Sequence, residues 1–315
     1  MSAEKADQIR GLLEDFSETL GLVEGVLDQW PEHASYLLKS FQPRSERLLA
    51  AGEAASAAAR KLMGGQQARF ASDYRWTCDQ LRDEELFFHR EGRYRLSTFK
   101  EAHAEVYSNE AYMSRYVNGL LLSQVLWYNH VATFEMFLDR VLDAQREPFD
   151  YLEIGPGHGL MTYFAAKAPA TRSLQVWDVS QVSLRETRAA LDTLGAPKPV
   201  SFVETDILRA EPPEGRFDLV VISEVLEHLE TPDRALRFLR GAMTEEGRIF
   251  INVPLNSPSP DHIFLLSTPQ EVEDLVTGAG FVVEQLELFA TQAKPISSAL
   301  AQRISVSAGV VARPA

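Results

Sequence analysis

The chain of 315 residues has a single cysteine, Cys78, and no long hydrophobic run. One cysteine can form no internal disulfide and cannot build a cysteine-rich metal site. The longest apolar stretch, 120–128, is broken by Ser123 and Gln124 and is too short to span a bilayer. We therefore expect no membrane partner. The first residues are charged and lack an apolar signal-like core, so the cytoplasm is the expected location.

Positive charge is also scarce. The 31 Lys and Arg residues are outnumbered by 45 Asp and Glu residues, which gives a formal net charge of -14. A surface of this sign repels phosphate backbones, so nucleic-acid binding would need a local basic patch. The best candidate, 82–100, is interleaved with acidic residues and is typical of a solvated face. The charge therefore favours a small, non-polyanionic substrate and no nucleic-acid partner.

Residues 1–147 have the apolar spacing of helices. Apolar residues from Ile9 to Leu27 recur every three to four positions and predict one amphipathic helix that ends near Pro31. The apolar faces predict a helical bundle that packs on itself or on a twin chain, so a homodimer through these N-terminal helices is a further hypothesis. Further helices are expected at 51–63, 70–89 and, with interruptions, 109–145.

The spacing of apolar residues changes in residues 148–315, where short apolar segments alternate with amphipathic helices. Four strand–helix alternations predict a parallel α/β sheet. The last two candidate strands lack a long helix between them, so we expect them to run antiparallel at one edge. The candidate strands are 151–154, 174–177, 200–203, 219–222, 249–253, 282–288 and 304–311.

The strongest local signal is the segment YLEIGPGHG at 151–159, where glycine occupies every second position before a predicted helix. Glycines let the backbone turn sharply and let a ligand approach its amides, and the helix N-terminus can receive a carboxylate. The dinucleotide fingerprint requires glycine at position 160, where this chain has Leu160. A nicotinamide-dependent oxidoreductase is therefore disfavoured, and a purely structural glycine turn stays an alternative.

Acidic residues follow the next two strands as well. Asp178 ends the second strand, where a carboxylate can accept both ribose hydroxyls, each bond contributing about 1.5–3 kcal/mol. Alternatively, it caps the helix that starts near Ser180. Asp206 follows the third strand, where it can accept from an adenine amine while Ile207 flanks the ring. Ligands bind at the carboxyl edge of such sheets, so we expect Glu153, Asp178 and Asp206 at one edge.

These motifs and the run FDLVVISEVLEHL at 217–229 resemble the class I, Rossmann-like S-adenosylmethionine-dependent methyltransferase superfamily, of the small-molecule type. The resemblance covers 148–312. It implies a seven-stranded, mostly parallel, doubly wound sheet with a C-terminal antiparallel hairpin, and S-adenosylmethionine as cofactor with S-adenosylhomocysteine as product. The cofactor-binding residues that it implies are Glu153, Gly155, Pro156, Gly157, His158, Gly159, Asp178, Val179, Asp206, Ile207 and Ser223.

Methyl transfer from a sulfonium is an in-line displacement, which needs an aligned nucleophile and a base if the nucleophile carries a proton. The sulfonium is already activated, so we expect no metal, and Glu227 with His228 is only one adjacent pair. Candidate catalytic residues are His228 and Glu224 after the fourth strand, and His262 in the polar loop after the fifth. The alternative for His228 is simple packing in its turn.

The segment 94–130 is rich in aromatic residues and precedes the first strand. We expect it to fold over the cofactor as a lid that excludes water and cradles an aromatic or cationic acceptor. The alternative is an ordinary core face, which is favoured for Trp127. The candidate substrate-binding residues are Tyr94, Tyr112, Met113, Tyr116 and Trp127.

The sequence thus predicts a helical domain and lid at 1–147 and a cofactor-binding domain at 148–315. The predicted function is methyl transfer to an oxygen, nitrogen or carbon atom of a small molecule in specialised metabolism, with acid–base help from a histidine. The alternatives are a protein that keeps the fold and binds without turnover, and a protein methyltransferase.

Overall fold

The computed structural model describes residues 2–210 and 217–315. Contacts divide the chain into two compact units. The helical unit comprises Met1–Glu135, Asn256–Leu265 and Phe289–Ser307, and the sheet unit comprises Met136–Leu255, Leu266–Leu288 and Ala308–Ala315. Two segments from the C-terminal half, Asn256–Leu265 and Phe289–Ser307, belong to the helical unit through long-range contacts. The predicted division into 1–147 and 148–315 instead assigns both segments to the sheet domain.

The helical unit is built mainly from the first eight helices. A 3-10 turn, Pro31–His33, precedes α3, and a π-helical turn, His103–Tyr107, extends α6. In the described part of the chain, no helix combines the length and apolar character needed to cross a membrane. The helices are α1 (Ser2–Leu12), α2 (Ser17–Gln29), α3 (Ala34–Phe41), α4 (Glu46–Met63), α5 (Gln67–Glu91), α6 (Phe99–Ala102), α7 (Glu110–Leu126) and α8 (Tyr128–Met136).

The prediction of one helix from Ile9 to Leu27 is wrong, because the chain breaks between α1 and α2. The carboxylate of Glu53, in α4, accepts hydrogen bonds from the backbone N–H groups of Glu18 (2.8 Å) and Thr19 (2.9 Å). A carboxylate there satisfies amides that have no partner within a helix and complements the helix dipole. The apolar spacing continues across the break because both helices bury their apolar faces.

The pairing of α5 with α7 depends on one glycine. A Cβ atom at Gly119 would lie 2.1 Å from the Oγ1 atom of Thr77, far inside contact distance. The absence of a side chain therefore allows the two helices to approach closely. The predicted end of α4 is confirmed, since Gly64 caps that helix in the left-handed conformation (φ 55°).

The sheet unit contains a seven-stranded sheet, and every strand expected from the sequence overlaps one of its strands. The helices that accompany the strands are α9 (Leu160–Lys167), α10 (Gln181–Leu194), α11 (Pro232–Ala242) and α12 (Pro269–Gly278); α13 (Ile296–Ala301) belongs to a late segment of the helical unit. The strands are β1 (Phe149–Ile154), β2 (Thr171–Asp178), β3 (Ser201–Glu204), β4 (Phe217–Ser223), β5 (Met243–Leu255), β6 (Phe281–Ala290) and β7 (Val306–Pro314).

The strand order is β3-β2-β1-β4-β5-β7-β6. Strands β1 to β5 pair in parallel, and the C-terminal strands form an antiparallel pair, as the sequence predicts. The centre of the sheet is fully buried: Leu152, Val221 and Ile251 are each 0% exposed. Because helices cover both faces of a parallel sheet, its central strands are continuously apolar, and binding residues are confined to the strand ends.

Candidate cofactor site and a polar cluster of the helical unit

The carboxyl ends of the parallel strands meet at one edge of the sheet. Ile154, the last residue of β1, is in register with Trp177 of β2 and with Ile222 of β4. Asp178 directly follows Trp177, and its carbonyl accepts a hydrogen bond from Thr205 (2.9 Å), next to Asp206. The structure therefore brings to this edge the predicted residues Glu153, Asp178, Asp206 and Ser223.

The glycine loop has a conformation that side chains rarely adopt. Gly155, Gly157 and Gly159 all have positive φ angles, of 63°, 52° and 70°. The Gly155 N–H donates to the Trp177 carbonyl (2.8 Å), which ties the loop to β2. A Cβ atom at Gly155 would lie 2.6 Å from a methyl carbon of Val225, so no larger residue fits at this point.

The loop leads directly into the N-terminus of α9, with Gly159 as the residue before the first turn. A Cβ atom at Gly157 would meet no atom of the described residues within 4 Å, so the loop leaves space there for a ligand. Pro156 is buried and His158 is half-buried. Amides at a helix start suit the carboxylate of an amino-acid-like ligand such as the methionine part of S-adenosylmethionine.

Glu153 is turned into the protein beneath this loop. Its carboxylate accepts hydrogen bonds from the hydroxyls of Tyr151 (2.8 Å) and Thr162. Burial raises the pKa of Glu153 to about 7, although the hydrogen bonds from Thr162 and Tyr151 act in the opposite direction. Thr162 lies in α9, so Glu153 links the strand before the loop to the helix after it.

Asp178 is held by the start of α10. Its carboxylate accepts hydrogen bonds from the Ser180 N–H (2.8 Å) and the Ser183 hydroxyl (2.7 Å). Burial raises the pKa of Asp178, against these hydrogen bonds. Asp178 therefore accepts hydrogen bonds from the start of α10, as the capping alternative expects. The same hydrogen bonds fix the orientation of its carboxylate. The next residue, Val179, is 55% exposed, which is unusual for a large apolar residue and leaves a surface for a planar ring.

Asp206 lies after β3 in a tight turn. One carboxylate oxygen accepts from the Leu208 N–H (2.9 Å), and the other lies 3.4 Å from the Arg209 guanidinium. The residue that follows Asp206, Ile207, is buried. The aspartate is therefore oriented locally, like Asp178.

The end of β4 carries a second group of polar residues. Glu224 has a positive φ angle of 54°, which is strained for a residue other than glycine. The Asn252 side-chain amide donates to the Ser223 hydroxyl (3.1 Å) and to the Glu224 carboxyl (2.9 Å). Removal from water raises the pKa of Glu224 to about 7, while hydrogen bonds with Asn252 and Glu227 lower it. His228 follows in a short 3-10 turn.

The helical unit contains a polar cluster that we define as Tyr107, Tyr116, Ser259 and Asp261. The Tyr116 hydroxyl lies 3.1 Å from one Asp261 oxygen and within hydrogen-bonding distance of the Ser259 hydroxyl, and its single proton can donate to either. The Ser259 hydroxyl donates to the same oxygen (2.8 Å), and Tyr107 donates to the other (3.3 Å). Burial raises the pKa of Tyr116 well above its ordinary value, so Tyr116 remains a donor.

Two further predicted residues lie in the same unit and contact each other. The Tyr94 and His262 rings meet edge to face, with centroids 5.8 Å apart. The Tyr94 hydroxyl accepts from the Ser257 N–H (3.1 Å), and the His262 Nδ1 atom lies 2.7 Å from the Ser257 carbonyl. His262 is thereby fixed in orientation.

The other predicted substrate residues separate into two groups. Tyr112 and Met113 pack with Tyr107 and Ile263 against the small apolar cluster around Val106. Trp127 instead donates a hydrogen bond from its indole N–H to the buried Tyr74 hydroxyl (2.9 Å). Its environment matches the core-face alternative.

No local sequence pattern assigns a role to Tyr107, Ser259, Asp261 or Asn252. The run of serine, proline and aspartate at 256–262 was the available signal, since such polar loops after strands often line pockets. Their hydrogen-bond partners are far away in the sequence, so no local pattern reveals them.

Comparison with known proteins adds an independent observation. Residues 152–249 match the family model of a methyltransferase domain. A search of curated sequences finds no significant match. The mitomycin 7-O-methyltransferase MmcR has a TM-score of 0.50 at 16% identity, over 79% of this chain and 71% of that protein. A putative methyltransferase from Bacillus halodurans has a TM-score of 0.47 at 15% identity, over 56% of this chain and 97% of its own.

The strand order and the loop after β1 define the class I, Rossmann-like methyltransferase fold. The structural similarities at these identities concern the fold, and the family model identifies the activity. The chain is an S-adenosylmethionine-dependent methyltransferase, and S-adenosylmethionine is its cofactor.

Proposed function

We propose that the chain methylates an oxygen, nitrogen or carbon atom of a small molecule, with a histidine as the base where the acceptor carries a proton. The observation that carries this proposal is the polar cluster, with the neighbouring Tyr94 and His262. Buried hydroxyls and one carboxylate joined by hydrogen bonds give a directional surface that suits a compact polar acceptor. The net charge of -14 argues against a polyanionic acceptor.

The tyrosines of this region act as neutral donors. Burial raises the pKa of Tyr112 to about 12 and raises the pKa of Tyr116 well above its ordinary value, so neither gains an anionic form near neutral pH. A donor can orient an acceptor but cannot remove its proton. Tyr94, Tyr112, Met113 and Tyr116 are therefore assigned to acceptor binding.

His262 is the preferred base. A proton on Nδ1 can donate to the Ser257 carbonyl at 2.7 Å, and this tautomer makes Nε2 the basic nitrogen. His228 and Glu224 are the other catalytic candidates, at the end of β4. Trp127 is given a structural role, because its indole N–H donates a hydrogen bond to the buried Tyr74 hydroxyl.

For the cofactor, we assign the loop amides and glycines, with Pro156 and His158, to the methionine part. Asp178 would accept the ribose hydroxyls, and Val179 would cover one face of the adenine. Asp206 with Ile207 would hold the adenine edge, and Ser223 would lie beside the sulfonium. Glu153 would affect cofactor binding indirectly, because its hydrogen bonds hold the strand before the glycine loop to the helix after it. When bound, S-adenosylmethionine supplies the methyl group to be displaced.

A first experiment tests the cofactor assignment with Asp178→Asn. The substitution keeps the size of the side chain and one acceptor oxygen for the turn but removes the charge that two ribose hydroxyls need, so we expect S-adenosylmethionine affinity in calorimetry to fall about 100-fold. Asp150→Asn is the matched control, because Asp150 lies at the opposite end of the parallel strands and pairs with Arg172. Equal affinities for the two variants would remove Asp178 from the site.

A second experiment tests the acceptor class. Transfer of labelled methyl groups is followed to panels of small phenols, carboxylic acids and amines, to denatured protein and to RNA. We expect transfer to a small molecule, and a loss of at least 10-fold in kcat for His262→Gln with unchanged cofactor affinity. Transfer only to protein or RNA, or cofactor binding without transfer to any of these acceptors, would reject the proposal. The cytoplasmic location, specialised metabolism and the homodimer stay predictions from the sequence.

A further inference from the structure

The polar cluster of the helical unit combines one carboxylate with neutral hydroxyl groups. Three hydroxyls lie close to the Asp261 carboxylate: those of Ser259 (2.8 Å), Tyr116 (3.1 Å) and Tyr107 (3.3 Å). These hydroxyls orient the carboxylate and contribute no charge of their own. Hydrogen bonds to the ionised form of a carboxyl group also favour that form. The cluster therefore presents a negative charge that is fixed in direction.

Three tyrosine rings accompany this carboxylate. Tyr107 and Tyr116 contact it directly through their hydroxyls, and the ring centroid of Tyr112 lies 5.9 Å from that of Tyr116. Tyr107 and Tyr112 also pack against the same small apolar cluster. Both of these rings are half-buried, whereas Asp261 is only 5% exposed. Partly accessible aromatic rings thus accompany a carboxylate from which water is largely excluded.

A buried negative charge beside aromatic rings suits an organic cation. The face of a tyrosine ring attracts a positive charge, and this attraction is larger where water is excluded. An ammonium group also forms charge-assisted hydrogen bonds with a carboxylate. The net charge of -14 adds a long-range field that attracts cations. A neutral aromatic acceptor would gain nothing from the charge of Asp261, and an acidic acceptor would be repelled by it.

We propose that the polar cluster, together with Tyr112, binds the ammonium group of a small organic cation. This inference rests on the proposed function, because it names the class of the acceptor: a small molecule that carries a positively charged nitrogen. The sequence left an aromatic and a cationic acceptor open, and the contacts of Asp261 favour the cation.

The charge of the bound nitrogen limits the chemistry. A nitrogen that is held in its charged form has no lone pair, so it cannot attack a methyl group. The ammonium group therefore anchors the acceptor, and the methyl group goes to another atom of the same molecule. The role of Asp261 is to bind and orient the acceptor.

The test compares two probes of equal shape, choline and 3,3-dimethylbutanol, in which an uncharged carbon replaces the charged nitrogen. Binding to the full-length protein is followed by tryptophan fluorescence without S-adenosylmethionine, because the Trp76 and Tyr112 rings meet edge to face at 4.8 Å. We expect saturable binding of choline, about 10-fold tighter than that of the alcohol. Absence of choline binding, or equal affinity for the two probes, would overturn the proposal.

Substitutions separate the charge from the ring. Asp261→Asn keeps the shape of the side chain and removes its charge, so the preference for choline should disappear. Tyr112→Phe keeps the ring and should keep the preference, whereas Tyr112→Leu should weaken choline binding. Far-ultraviolet circular dichroism checks folding, and the half-buried Tyr112 decides the question if Asp261→Asn does not fold. Undiminished preference in Asp261→Asn, or equal choline affinity in the two Tyr112 variants, contradicts the proposal.

Glu105→Gln is the matched control, because Glu105 is exposed and lies in the same π-helical turn as Tyr107. It should leave both affinities unchanged, since an exposed charge is screened by water and salt. A loss equal to that of Asp261→Asn would mean that surface charge alone attracts choline, and would reject the proposal. Because no methyl donor is present, the result is independent of methyl transfer. Transfer to neutral acceptors without any preference for choline would contradict this inference and leave the proposed function intact.

Discussion

The two units build their polar groups over very different distances along the chain. In the sheet unit, the carboxylate of Asp178 is held by residues two and five positions later, and that of Glu153 by residues two and nine positions away. In the helical unit, Tyr116 and Ser259 are separated by 143 positions, and Tyr107 and Asp261 by 154.

The difference follows from the geometry of the two architectures. Parallel strands present their carboxyl ends at one edge, so a residue that follows a strand is placed by the fold class alone. Helices in a bundle have no common edge, and polar groups meet only where tertiary packing brings them together. A site of the first kind can be located from motifs, whereas a site of the second kind cannot. Substitutions in each unit test this contrast.

The largest effect is expected for Gly119→Ala in the helical unit. The new Cβ would collide with Thr77 at 2.1 Å and would approach the Asp73 carbonyl at 3.1 Å. Overpacking of this kind should lower the free energy of unfolding by about 3 kcal/mol. Urea unfolding followed by tryptophan fluorescence measures it, since Trp30, Trp76 and Trp127 all lie in the helical unit.

The control for this substitution is Gly11→Ala in α1. A Cβ at Gly11 would meet no described atom within 4 Å, so the variant should gain about 0.5–1 kcal/mol from the better helix former. If both glycine variants changed the free energy of unfolding equally, the packing of α5 against α7 would not require glycine at position 119.

The next effect concerns pH and the sheet unit. The pKa of Glu153 rises from an ordinary 4.5 to about 7 on folding, so its contribution is fully present below about pH 4.5 and is lost as pH rises through 7. For Glu153→Gln this dependence should disappear, and the stability difference between wild type and variant should fall by about 2–3 kcal/mol from pH 5 to pH 8. Denaturant unfolding at several pH values measures the difference.

Glu105→Gln serves as the reference for loss of an exposed carboxylate, and its stability should follow that of wild type over the same range. Parallel curves for wild type and Glu153→Gln would mean that burial does not shift this carboxyl.

The smallest effect is expected for Glu53→Gln. The amide presents only one acceptor to the N–H groups of Glu18 and Thr19, and it loses the charge that favours a helix N-terminus. We expect a loss of about 1–2 kcal/mol in the free energy of unfolding, whereas Glu105→Gln should lie within about 0.5 kcal/mol of wild type. A change no larger than that of the control would show that α2 does not depend on this long-range cap.

The edge residues of the sheet unit could be predicted because each follows an apolar strand directly. Glu153, Asp178 and Asp206 were placed at one edge from strand–loop spacing, and the structure has them there. The break between α1 and α2 could not be predicted, because the apolar spacing is unbroken and Glu53 is more than thirty positions away. The role of Asn252 was hidden for the same reason.

The sequence by itself determined the alternation of strands and helices, the glycine loop and the acids that follow successive strands. These features depend on local backbone freedom and on the period of apolar residues, which are properties of short segments. Only the tertiary structure decided that Tyr116 meets Asp261 and that Asn252 meets Glu224. Such contacts depend on how distant segments pack, because burial of the whole apolar surface selects them and no single segment encodes them.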